Sequence, residues 1–307
     1  MGGRVKSHAV IHLNKIEIMS KKMTLVVGIN PDKYEIDDHR LRKPVWHQKH
    51  ENGQLVGSGL FQELDQLKVG NKELTYFQPN NISILLSISK KQLELSKEFF
   101  ATQFKNSHNE LSYINYSGDK KKFIGEKSKA ICDYIELVET SIVFAYTSIE
   151  AFANISIHDN YKYTYKNNSK GIEEIYDKEA IERWITLKDK ISIILPEIYK
   201  VKKPTQKKWW SDFIRLENYR HNIIHQKTID STDFYKKYFN EDIFRICSTA
   251  EIVIQYFYDE TAKQNRTHIM WPWLKKVKSE FPIAFDFDEM KAEVIGNLYE
   301  GIKKKGV

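Results

Sequence analysis

The chain has 307 residues, 41% of them hydrophobic and 29% charged, with a formal net charge of +7. That balance belongs to a globular protein and excludes a disordered or low-complexity chain. No stretch approaches the roughly 18 consecutive apolar residues of a membrane span. Residues 1–22 are broken by His, Lys and Asn where a signal peptide would be apolar, so the expectation is a cytoplasmic protein without a membrane partner. The basic charge makes nucleic acid the natural partner and says nothing about fold. Only 7 prolines and 13 glycines are present, which favours helix over a turn-rich β fold. Cys132 and Cys247 lie in apolar helical stretches and are expected as buried free thiols.

In chain order, residues 1–80 read as a mixed, strand-containing region. Partial alternation over 10–18 predicts a half-buried strand, and the apolar run 24–29 predicts a second one closed by Asn30 and Pro31. Pro31, Pro44 and Asn52-Gly53 are turn signals, the last suited to a hairpin. From about residue 82 the period becomes helical. A first helix is expected over 89–103, then a polar break holding Gly118 and Gly125. The clearest helix covers 127–157, where Ile131, Ile135, Val138, Ile142, Ala145, Ile149 and Phe152 form one stripe. Residues 158–171 read as a polar, Tyr-rich loop. A third helix over 172–195 carries Trp184, Leu187, Ile191 and Ile194 and is ended by Pro196. A lysine-rich connector, 197–208, leads to a fourth helix that starts near Thr205 and runs to Lys227. A fifth covers 241–262, and a short one is expected over 287–303. The expected fold class is therefore mainly α: a helical bundle over 82–262, a smaller strand-containing region 1–80 of unassigned role, and a helical tail, 263–307.

One hexapeptide carries chemistry: Arg220-His221-Asn222-Ile223-Ile224-His225. Arginine grips phosphate with two parallel hydrogen bonds. Histidine is the side chain whose ordinary proton affinity suits acid–base work near neutrality. Glu150 and Asn154, four apart, share a face of the 127–157 helix, and a buried carboxylate there needs a partner. Residues 196–228 carry eight basic side chains (Lys200, Lys202, Lys203, Lys207, Lys208, Arg215, Arg220, Lys227) against Glu197, Asp212 and Glu217. Trp209 and Trp210 are interleaved with them, as suits single-stranded RNA. The plainer reading pairs Arg220 with Glu217 or Glu150, makes His225 an ordinary helix-end residue, and makes the connector a solvated charged loop. The His221/His225 spacing and the His39, His47, His50 group are weak metal patterns, so no metal and no cofactor is expected. Gly-rich phosphate loops, GxSxG and Cys-based zinc spacings are absent from the sequence.

Arg220 and His225, separated by four residues, match the signature of the HEPN superfamily, which the helical region resembles. The run from Ser148 through Glu150 to Asn154 is similar to the acidic helix that precedes the motif helix in many members, as are the stretch 187–195 and Trp209 and Phe213 before the motif. Many members place Asn directly after the Arg; here His221 stands there and Asn222 follows. The resemblance spans about 180 of the 307 residues and implies a metal-independent endoribonuclease, in phage defence or as a toxin. In that reading His225 moves protons and Arg220 stabilises phosphoryl charge, while the RNA 2′-hydroxyl attacks phosphorus and leaves a 2′,3′-cyclic phosphate. His221, Asn222, Glu150 and Asn154 support, and Lys202, Lys203, Lys207, Lys208 and Trp210 bind RNA. It also implies a homodimer, because positions five apart on one helix point about 140° from each other, and it leaves room for a neutralising or activating protein partner. The alternative is a non-catalytic module binding RNA, nucleotide or protein.

Overall fold

The computed structural model describes residues 22–107, 111–167, 172–225, 233–264, 267–275, 277–285 and 292–297. The strand expected over 10–18 lies outside them. The apolar run near residue 24 forms β1 (Lys22–Gly28). Strands β2 (Val45–Glu51) and β3 (Gln54–Val69) make the expected hairpin. Its turn uses Asn52 and Gly53 at φ 50° and 77°, the left-handed pair that matches the twist of two strands. Gly70, at φ 61°, opens a second tight turn into β4 (Lys72–Phe77).

Helix α1 (Asn81–Phe100) begins earlier than the apolar period suggests. Asn80 sets its start: the side-chain oxygen accepts from the Ser83 N–H, satisfying a donor that has no intrahelical partner. Helix α2 (Lys120–Ile155) is capped in the same way by Asp119 and takes Gly125 into its first turns. Its buried stripe runs from Tyr134 through Val138, Ile142, Ala145 and Ile149 to Phe152, whereas Ile131 is 40% exposed. The residues expected as a Tyr-rich loop and the start of the third helix are instead the hairpin β5 (Tyr163–Asn167) and β6 (Ile172–Tyr176).

The expected third helix is three short ones: α3 (Lys178–Trp184), α4 (Leu187–Asp189) and α5 (Leu195–Tyr199). A π-type turn, Lys190–Ile194, joins the last two. Pro196 therefore does not end a helix. It sits in the first turn of α5, where a missing N–H is tolerated. Helix α5 ends at Lys200, which takes the left-handed conformation. Then come α6 (Trp210–His225), α7 (Asp233–Lys236), α8 (Asp242–Cys247) and α9 (Thr249–Thr261). The tail forms β7 (Ile283–Ala284) and β8 (Ala292–Asn297) in place of the helix expected over 287–303.

These strands overturn the expectation of a mainly α chain built as a helical bundle. β7, β2, β3, β1 and β8 line up in one mixed sheet, with β4 added on β3. β1–β3 and β2–β3 are antiparallel; the tail strands join in parallel, β8 on β1 and β7 on β2. The β3–β4 ribbon and the β5–β6 hairpin escaped the period reading because much of each buries no face. Leu67, Val69 and Leu74 in the β3–β4 ribbon and Ile175 in β6 are all exposed, so no apolar/polar alternation marks them. The helices enclose one core and the sheet another, the second built from Trp46, Leu60, Trp273 and Phe281. Cys247 is buried, and burial pushes its thiol up to about 12; Cys132 is exposed, contrary to expectation, because it lies off the α2 stripe. Among the described residues no helix is long and apolar enough to cross a membrane.

Candidate functional site

Helix α6 presents Asp212, Phe213, Leu216 and Tyr219 to the interior. Asp212 also receives Arg245 of α8, which pins the helix from the other side. The motif residues then fall on the last turn and a half. The Arg220 guanidinium lies 5.0 Å from the ring centroid of Tyr146 on α2. No carboxylate among the described residues lies within ion-pair distance of it, so the plainer pairing with Glu217 or Glu150 is not formed. The Tyr146 hydroxyl donates to Glu217 across 3.4 Å. Burial raises the proton affinity of both groups. The Glu217 carboxyl therefore sits above its ordinary range, with the Tyr146 hydrogen bond, Lys188 and His221 pulling the other way.

His221, Asn222 and His225 are exposed, and the two imidazoles stand 4.6 Å apart between centroids. The structure places Arg220, His221 and His225 at one end of α6, the arginine against Tyr146 and the two histidines against each other. Glu150, one turn beyond Tyr146 on α2, acts electrostatically on Tyr146 and on Lys190. Asn154 is not with Arg220: its side-chain oxygen accepts from the Lys190 ammonium at 2.9 Å. That buried amine also donates to the Glu182 carbonyl at 3.0 Å, and burial lowers its proton affinity.

Tyr146, Lys188 and Lys190 belong to the surroundings of the motif and were not singled out from the sequence. Tyr146 could have been found, since it lies one turn before Glu150 on the same face of a helix. Lys190 could not, because nothing local says that a lysine in a π-type turn reaches back to another helix.

The connector stands apart from the motif. Lys202, Lys203, Lys207 and Lys208 are exposed, but Arg220 lies ten residues into α6 from Trp210, about 15 Å along the axis. Lys207 pairs with Glu260 at 3.7 Å and covers the Tyr256 ring. Trp210 is half-buried, its ring 5.1 Å from that of Phe213, so it packs with the core. Beside Trp209 a hollow of about 410 Å³ is lined by Lys207 and Lys275 but also by Glu251 and Asp259, which gives it a mixed field. Lys227 lies outside the described residues. The His47 ring packs on Phe61, and His50 on Phe285. Among the described residues no group of three or more His, Cys, Asp or Glu side chains can hold a metal ion.

Comparison with family models, curated proteins and solved structures finds no match for this chain. The functional reading rests on the site itself.

Proposed function

We propose that the chain is a metal-independent endoribonuclease of HEPN type, acting through Arg220 and His225. One observation carries the reading: a guanidinium 5.0 Å from the ring centroid of the buried Tyr146, paired with no carboxylate among the described residues, with an exposed histidine five positions further along the same helix. Such an arginine keeps its hydrogen-bonding fork available for a phosphodiester. His225 takes the 2′-hydroxyl proton and returns one to the 5′ leaving oxygen, while Arg220 stabilises the charge that builds on the phosphoryl oxygens. His221 and Asn222 border the same end of the helix, and Glu150 adds a carboxylate behind Tyr146.

Because Arg220 and His225 diverge by about 140° on one helix, two copies of the chain complete the site in this reading. The same divergence favours the second reading, a non-catalytic RNA- or protein-binding module, if the chain stays monomeric. A role as a toxin or in phage defence, with a neutralising or activating partner, extends the first reading.

The test is cleavage of total cellular RNA by purified protein in EDTA. Cleavage is expected to yield 2′,3′-cyclic phosphate ends and to spare DNA, which lacks the attacking hydroxyl. Arg220→Ala and His225→Ala are each expected to lower the rate by about 10²- to 10⁴-fold. Cleavage that survives both substitutions would sink the assignment. Absence of cleavage with RNA binding retained would favour the binding module.

A further inference from the structure

The two faces of the mixed sheet differ. On β3, Leu60 and Gln62 are buried, and Leu60 joins its cross-strand partner Trp46 in the sheet core. Alternate positions of a strand point to opposite sides, so Gly57, Gly59 and Phe61 lie on the reverse face. Their partners there on β2 are Lys49, His47 and Val45. On this face a hollow of about 510 Å³ opens, bounded also by Val26 of β1, by Ile29 just past it and by Phe285 just past β7. Its volume is that of a small-molecule site.

Two glycines line the hollow where a strand ordinarily carries side chains. Glycine inside a strand costs stability and often marks the close approach of a ligand or another backbone. Gly59 has an internal reason: a Cβ there would lie 2.8 Å from the Phe61 ring. At Gly57 a Cβ meets nothing within 4 Å among the described residues. Nor is its φ in the left-handed region that Gly53 and Gly70 occupy. Neither packing nor backbone conformation in the described chain requires glycine at 57, whereas an occupant of the hollow does.

The walls select the chemistry of that occupant. The rings of His47 and Phe61 meet edge-on at 4.9 Å between centroids. Ile29 and Phe285 are 56% and 58% exposed, so two large apolar side chains of the lining are open to solvent. Bare backbone beside aromatic walls suits a flat ring. Among the described residues no carboxylate lines the hollow, and Lys49 supplies a cation. Burial lowers the proton affinity of His47, which leaves Lys49 as the charge. Lys49 pairs with Glu51 at 2.9 Å, but both side chains are exposed, and such a pair is weak enough to admit a second anion. The hollow beside Trp209, by contrast, is lined by Glu251 and Asp259.

We propose that this face of the sheet binds a small planar aromatic anion, its ring laid over Gly57 and Gly59 between Phe61 and Phe285 and its charge on Lys49. An aromatic carboxylate and a nucleotide share that chemistry. Binding here needs no activity at Arg220 and His225.

The test is calorimetric titration of the full chain with 2-naphthoate and with AMP. A single saturable site is expected, and the tighter of the two probes assigns the carboxylate or the nucleotide. Lys49→Gln should weaken the anion by about two- to fivefold and leave uncharged 2-naphthamide unaffected. Cyclohexanecarboxylate, which has the charge without the flat ring, should bind about 2- to 10-fold more weakly than 2-naphthoate. Gly57→Val fills the space of the ring and should cost about 5- to 150-fold. It should not lower the melting temperature, since valine suits a strand and the added Cβ meets no described neighbour. Phe285→Ala, an exposed change, should weaken binding by about 2- to 10-fold, and Arg220→Ala should leave it unchanged.

Absence of saturable binding of either probe at millimolar concentration overturns the site. So does undiminished binding to Gly57→Val and Phe285→Ala. Binding lost with Arg220→Ala alone would put the probe on α6 and also overturns it. Equal affinity for cyclohexanecarboxylate and 2-naphthoate overturns the planar ring.

Discussion

Tyr146 illustrates how one side chain couples two elements. Its ring supports Arg220 and its hydroxyl reaches Glu217, so in the proposed ribonuclease it acts on phosphate only through the arginine, as a positioning residue. A cation–π contact of this kind is worth about 0.5–2 kcal/mol. If the chain is the proposed ribonuclease, Tyr146→Leu is expected to reduce kcat by roughly 2- to 30-fold with little change in KM, since the arginine would then work on charge that develops in the transition state. Tyr146→Phe keeps the ring and should retain most of the rate. Equal loss in both variants would show that the hydroxyl, not the face, matters.

Lys43 is the other residue whose surroundings decide its behaviour. It is wholly buried, donates to the Glu280 carbonyl at 2.8 Å, bonds the Tyr258 hydroxyl, and lies over the rings of Tyr258 and Trp273. Burial lowers its amine to about 7, with Glu280 opposing the shift. Above that pH the folded amine is neutral while the unfolded one stays protonated to its ordinary value of 10.5. The unfolded state then binds more protons, so stability rises with pH across that window and is flat in this contribution below it. Urea midpoints measured from pH 6 to 10 should climb for the wild type and climb less for Lys43→Met. Parallel curves for the two proteins would refute the buried-amine account.

At the scale of elements, ends were set by single polar side chains and not by the apolar period. Asn80 accepts from Ser83 to start α1 and donates to the Met270 carbonyl at 2.8 Å. One residue therefore caps a helix and ties it to the tail. Asn80→Ala removes both bonds from a fully buried position and is expected to cost about 2 kcal/mol, a cap and a buried hydrogen bond together. Asn80→Asp should recover the cap alone. A urea titration distinguishes them; a loss under 0.5 kcal/mol for Asn80→Ala, as for an ordinary surface change, would remove Asn80 from this role.

For the whole molecule, the tail decides the architecture. β8 covers β1 and β7 covers β2, so the outer edge of each of these N-terminal strands is paired by residues more than 200 positions away, while β3 pairs their inner edges. The tail also brings Trp273, Phe281 and the Glu280 carbonyl to Lys43. A chain ending at Lys275 should expose two strand edges, which are templates for association, and strand Lys43 in a broken cage. It is expected to aggregate or elute as large species on size exclusion. A monodisperse, cooperatively melting truncation would show that the tail strands are dispensable.

Local rules in the sequence determined the α2 stripe, the Asn52-Gly53 hairpin turn, the helical character of residues 241–262 (though not its division into α8 and α9 at Ser248) and the placing of Arg220 and His225 on one helix. Each depends on neighbours a few residues apart, through helical period or turn geometry. Tertiary structure alone decided that Asn154 serves Lys190, that Trp210 packs inward while Trp184 faces water, and that the tail completes the sheet. Those outcomes are choices of partner between distant segments. A short strand with two exposed faces, or a lysine that reaches across a turn, carries no periodic mark of the partner it will meet.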